Sequence, residues 1–135
     1  MSTHASAAPQ KINLRRPDIM EAVQAKVLSH YRSELVEQIR ANGGQLAAGE
    51  LTVKLAKEFG FCYGVERAID LAYAAKKYFS DVSPQTPIYL LGEIIHNPDV
   101  TDQIRNMGIQ IIEAKPSDDR IAQLQPGDAV IIPAF

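Results

Sequence analysis

Apolar runs of strand length alternate with stretches of helical period from residue 51 onward, and this alternation most narrows what the chain can fold into. Residues 51–55 alternate like a strand. Residues 65–79 have helical period, with Val65, Ile69, Ala72, Ala75 and Phe79 on one face. Residues 84–87, proline at each end, break the chain before a buried-strand pattern at 88–91. Asn97-Pro98 opens a second helix, since Asn97 can cap and Pro98 suits a first helical position that needs no N–H. Gly108 closes it, 109–112 is the next strand, and a short helical segment near 118–124 leads to a Pro126-Gly127-Asp128 turn and a last strand from Ala129. Apolar strands alternating with helices predict an α/β fold: a parallel sheet with helices on both faces.

The first fifty residues have another character. Residues 1–16 carry no acidic group and are rich in Ser, Ala and Gln, which predicts a disordered tail. Residues 17–50 read as a helical extension built on a single amphipathic helix over 18–41. Met20, Val23, Val27, Tyr31, Leu35 and Ile39 form its stripe, and Asn42-Gly43-Gly44 ends it. Residues 51–135 form the α/β domain. Its final run, 129–135, reads as an interior strand with no closing turn or polar tail, so Phe135 is expected to be a truncation point.

Composition excludes several classes of function. Of 135 residues, 46% are apolar and 22% charged, the mixture of a globular chain. A net charge of −2 offers no footprint for nucleic acid or an anionic membrane. No run approaches the ~20 apolar residues of a membrane span. One cysteine, Cys62, can neither close an internal disulfide nor hold a metal unaided, which fits a reducing compartment.

In sheets of this kind ligands bind where strands end and loops feed the next helix. Two segments are expected there. Cys62 lies between Gly60 and Gly64 at a helix start, where the helix dipole favours a thiolate that attacks electrophiles or binds metal. His96 lies beside the helix opened by Asn97-Pro98, whose N–H groups favour an anion, so it can bond a phosphate or move a proton. Glu93 is a partner for His96 or only a charge at a strand end. Taken separately, an inert buried cysteine explains the first segment equally well, and a histidine satisfied by local backbone groups explains the second better.

Together these residues resemble one family, hydroxymethylbutenyl diphosphate reductase, the last enzyme of the methylerythritol phosphate route to isoprenoids. Residues 60–68, from Gly60-Phe61-Cys62-Tyr63-Gly64 to Ala68, resemble its first cysteine motif, and Glu93-Ile94-Ile95-His96-Asn97 its first histidine motif. Pro133-Ala134-Phe135 resembles the start of a third block, which reads Ser-Ala-His-Gly in many bacterial members and Pro-Ala-Phe in the plant and cyanobacterial-type branch. That branch also carries an amino-terminal extension.

The resemblance implies three similar α/β domains around a [4Fe–4S] cluster, each giving one cysteine, with Cys62 the first ligand and His96 a contact to the substrate diphosphate. It implies reductive removal of the hydroxyl from an allylic diphosphate, giving isopentenyl and dimethylallyl diphosphates, with electrons from a donor such as ferredoxin or flavodoxin. No nucleic acid or membrane partner is implied, and the compartment is bacterial cytoplasm or a plastid. The other two cysteines and the glutamate proton donor would lie beyond Phe135, so the chain alone holds no catalytic residue and is expected to be inactive. Two other readings remain open: a non-catalytic anion-binding α/β domain, and a thiol enzyme using Cys62 and His96 as nucleophile and base.

Overall fold

The computed structural model describes residues 12–113, 115 and 119–133. Helix α1 (Pro17–Tyr31) is followed by α2 (Glu34–Ala41), strands β1 (Gln45–Ala48) and β2 (Leu51–Lys54), and the long helix α3 (Tyr63–Val82). Then come β3 (Ile88–Leu91), α4 (Pro98–Asn106), β4 (Gln110–Ile112), one 3-10 turn at Ile121–Gln123, and β5 (Ala129–Ile131).

The expected α/β character holds, and its centre is β3, where the β-branched Ile88 and aromatic Tyr89 favour an extended chain. β3 lies between β4 and β5 and is parallel to both, pairing Leu90 with Ile111 on one side and with Ile131 on the other. Alternation along it buries Ile88 and Leu90 and leaves Tyr89 and Leu91 half-buried. The buried side chains join Ile69, Ala72 and Tyr73 of α3, Val100 and Ile104 of α4, and Ile109 in one core. Covering a side chain such as Leu90 contributes about 1.5–3 kcal/mol. Helix α1 packs along α3, with Ile19 and Val23 buried and the small Ala72, Ala74 and Ala75 among the buried residues of α3.

The helix expected over 18–41 is two helices. Arg32 and Ser33 are extended (φ −76°, ψ 129° and φ −105°, ψ 120°), and the Ser33 hydroxyl accepts from Val36 N at 3.4 Å. A serine whose oxygen can bond nearby backbone favours a cap over a helix interior, and Glu34 and Glu37 then sit in the favourable first turn of α2. Ahead of α1, Leu14 packs on the core, so residues 12–16 do not behave as the expected tail; residues 1–11 lie outside the described residues.

The larger difference concerns residues 51–55. The strand forms, but it pairs antiparallel with Gln45–Ala48 rather than joining the parallel sheet, so part of the stretch expected to be helical is a strand. Gly49, at φ +61°, makes the tight turn between them, and Leu55 N donates to Gly44 O at 2.9 Å to extend the ladder. The segment near 118–124 shrinks to Ile121–Gln123, and Asp118 and Phe135 lie outside the described residues. Among the described residues no helix is long and apolar enough to cross a membrane.

Candidate functional site

Cys62 is the residue from which α3 starts: it is extended (φ −68°, ψ 158°), and its carbonyl accepts from Glu66 N at 3.0 Å. Because β2 belongs to the hairpin, the cysteine follows a loop instead of ending a sheet strand, as the sequence had suggested. Its neighbours fix that loop from both sides. The Phe61 ring meets Tyr31 of α1 edge-on at 5.4 Å, while Tyr63 turns outward and accepts a hydrogen bond from Arg67 Nη1 at 3.0 Å. The Cys62 thiol is exposed and free, with no hydrogen-bond partner among the described residues. Within this chain the thiol is therefore not buried.

His96 projects almost wholly into solvent, with 99% of its side chain exposed. Its Nδ1 lies 2.9 Å from Glu93 Oε2, and Glu93 Oε1 accepts from the hydroxyl of Thr101, a buried residue of α4, at 3.2 Å. The hydrogen bond from His96 holds the Glu93 carboxyl below its ordinary range, with Thr101 and Arg105 adding to the effect. An ionised carboxylate only accepts, so Nδ1 carries the proton and Nε2 faces outward. The expected supply of free N–H groups beside His96 is smaller than the sequence suggested. Asn97 Oδ1 accepts from Asp99 N at 2.9 Å and Val100 N at 3.4 Å, taking the first amides of α4 for itself.

A cleft of about 310 Å³ at the carboxyl ends of β3 and β5 is lined by neighbours of both candidate residues, though by neither Cys62 nor His96 itself. Gly64, Arg67 and Ala68 come from the Cys62 segment, Ile94 from the His96 segment, and Ile131 and Pro133 from the last strand and the third motif. Arg15, from ahead of α1, completes one side. Gly92, at φ +85°, turns the chain out of β3 toward Ile94 and His96, and its N–H donates to Ile112 O at 2.7 Å. Arg15 lines the cleft although nothing in its own sequence neighbourhood distinguishes it. No hydrogen bond joins Cys62 to His96, so the nucleophile–base pair is not assembled here. Among the described residues no three His, Cys, Asp or Glu side chains converge to hold a metal.

A family model described as LytB protein matches residues 53–135, the stretch that carries both motifs. The chain belongs to this family. The 4-hydroxy-3-methylbut-2-enyl diphosphate reductase of Thermosynechococcus vestitus is 42% identical over 115 residues, 85% of this chain and 28% of that enzyme. The enzyme of the same name from Prochlorococcus marinus (strain MIT 9211) is 45% identical over 105 residues, 78% of this chain and 25% of the relative. That of Synechococcus sp. (strain WH7803) is 39% identical over an alignment covering 100% of this chain and 34% of the relative, so the segment ahead of residue 53 is shared as well. The chain thus spans about a quarter to a third of the length of these curated relatives. No solved structure matches it.

Proposed function

We propose that the full-length protein reductively dehydroxylates 4-hydroxy-3-methylbut-2-enyl diphosphate to isopentenyl and dimethylallyl diphosphates, and that this chain is the part that supplies Cys62 and His96. In this reading residues 51–135 belong to the first of three similar domains, preceded by the extension at 17–50. The observation that carries it is a free, exposed thiol and an exposed histidine on two loops that each contribute a neighbouring residue to one cleft, within a stretch matched to the family.

The donor set fits a shared [4Fe–4S] site. Cys62 is one thiol at a helix start, with no protein group occupying its sulfur, and such a site requires further thiolates from elsewhere. When bound, a cluster with an open iron supplies the electrons for breaking the C–O bond and polarises the hydroxyl. His96 does the binding work: Glu93 fixes the ring through Nδ1, and Nε2 is presented as donor to a diphosphate oxygen when the ring is protonated. An electron donor such as ferredoxin or flavodoxin is part of the reading.

The test is Cys62→Ser in the full-length protein. Loss of the visible cluster absorbance together with reductase turnover is expected. Unchanged absorbance and turnover would remove Cys62 from the ligand set and the reading with it.

A further inference from the structure

We propose that Tyr31 of α1, with Arg40 of α2 as a lesser support, is a positioning residue for the Cys62 loop: its ring holds Phe61, and through Phe61 it places the sulfur one residue on. That the sulfur then serves a cluster rests on the reductase reading above; the hold on the loop stands on the loop itself.

The segment between β2 and α3 has little else to fix it. Among the described residues no backbone group of residues 56–61 enters a backbone hydrogen bond; the nearest are Leu55 N to Gly44 O and Glu66 N to Cys62 O, one at each end. Residues 56–60 are exposed, and Phe61 is the one side chain of 56–61 that packs on the core. Gly60, at φ +132° with open space where a side chain would stand, adds a joint instead of a restraint.

What holds Phe61 comes from the amino-terminal segment. Its ring meets that of Tyr31 at 5.4 Å and 86°, the arrangement in which a positive ring edge faces a negative ring face. The Tyr31 hydroxyl is buried and has no hydrogen-bond partner among the described residues, so the ring alone makes the contact. On the other side of Gly60, the Arg40 guanidinium carbon lies 4.9 Å from the centre of the Phe59 ring. That side chain is more than half exposed and also pairs with Glu37, which makes it the lesser support. Helix α1 can serve as a fixed base because its own place is set elsewhere, by Ile19 and Val23 buried in the core it shares with α3. Tyr31 and Arg40 both precede residue 53, where the family match begins, so two residues outside that stretch bear on its cysteine.

The experiment compares full-length wild type with Tyr31→Ala, Tyr31→Phe and Arg40→Ala. A fourth variant, Val23→Ala, controls for stability, since it removes a buried contact of the same helix about two turns away. The first readout is the NMR order parameter of the Phe61 and Cys62 amides in protein stripped of any cluster. Values near about 0.85 are expected in wild type, falling below about 0.6 in Tyr31→Ala. Arg40→Ala should give a smaller fall, largest at Phe59. Tyr31→Phe should match wild type because it keeps the ring, and Val23→Ala should lower the thermal midpoint yet leave both amides rigid. The second readout is the rate at which a chelator bleaches the cluster of the loaded protein. Tyr31→Ala should bleach about three- to tenfold faster than wild type, the scale of one aromatic pair, and Tyr31→Phe no faster. Rigid amides or an unaltered bleaching rate in Tyr31→Ala overturn the proposal, as do mobile amides in wild type or an equal effect of Val23→Ala. The two readings fail separately: mobile amides in Tyr31→Ala beside an unaffected cluster in Cys62→Ser keep the hold on the loop and remove the reductase, whereas the opposite pair of results keeps the reductase and removes the positioning role.

Discussion

His96 Nδ1 and Glu93 Oε2 lie 2.9 Å apart, and this one bond decides which face of the imidazole the solvent meets. Glu93 is itself tied to Thr101 of α4, so the ring orientation is set by the helix rather than by the loop alone.

The electrostatic consequence is measurable at Glu93. Its carboxyl titrates below the ordinary 4.5 because the charged form accepts from His96 first, then from Thr101. A depressed native value means that the bond's stabilisation is fully present above the unfolded value and fades as pH falls through the native one. Carbon-detected NMR titration should give a midpoint below 4.5 in wild type and a higher midpoint in His96→Ala. Identical midpoints would show that the bond is absent in solution.

Asn97 tests the start of α4. Its side chain occupies the amides of Asp99 and Val100, so Asn97→Ala leaves both without that acceptor. Urea denaturation should show a loss of about 1 kcal/mol, the usual value of such a cap. Asn97→Asp should restore most of it, since a carboxylate accepts at the same place and complements the helix dipole.

Much of this arrangement was legible because its causes are local. The β3 pattern, the Asn97-Pro98 start, the Gly108 stop and the Pro126-Gly127-Asp128 turn each depend on a few adjacent residues. Of the two readings of Glu93, a partner for His96 or only a charge at a strand end, the structure contains the first. The break at Ser33 was hidden because Tyr31 and Leu35 keep a four-residue step across it, although the step ends with Leu35 exposed. Gln45–Ala48 was missed because glutamine and alanine carry weak strand preference, and its pairing with β2 is made by the Gly49 turn. Arg15 was illegible for a different reason: its cleft is built from residues about fifty to over a hundred positions away, and no local pattern encodes that meeting.

Leu90 tests the centre of the fold. It is 1% exposed and sits between Ile111 and Ile131 on the neighbouring strands. Leu90→Ala should cost about 3 kcal/mol, the removed methyl groups plus the cavity left behind. Leu90→Met, which keeps the volume, should cost less than about 1.5 kcal/mol. Similar midpoints for both variants in thermal denaturation would mean that β3 is not the packed centre described.

Cys62 should behave in the opposite way. Its thiol is exposed and makes no hydrogen bond or disulfide, so folding gains little from it. Cys62→Ser should not destabilise the chain: the sulfur makes no cap hydrogen bond, and a serine hydroxyl at this N-cap position adds up to about 1 kcal/mol to α3. The same exposure predicts that iodoacetamide modifies the native chain lacking a cluster about as fast as it modifies the urea-unfolded chain at one pH. Protection of the native thiol by a large factor would mean that another part of the protein covers it. A destabilising Cys62→Ser would mean instead that the sulfur packs where the structure leaves it open. If neither occurs, the cysteine is free of structural duty, and any loss of function on its replacement can be assigned to what the sulfur binds.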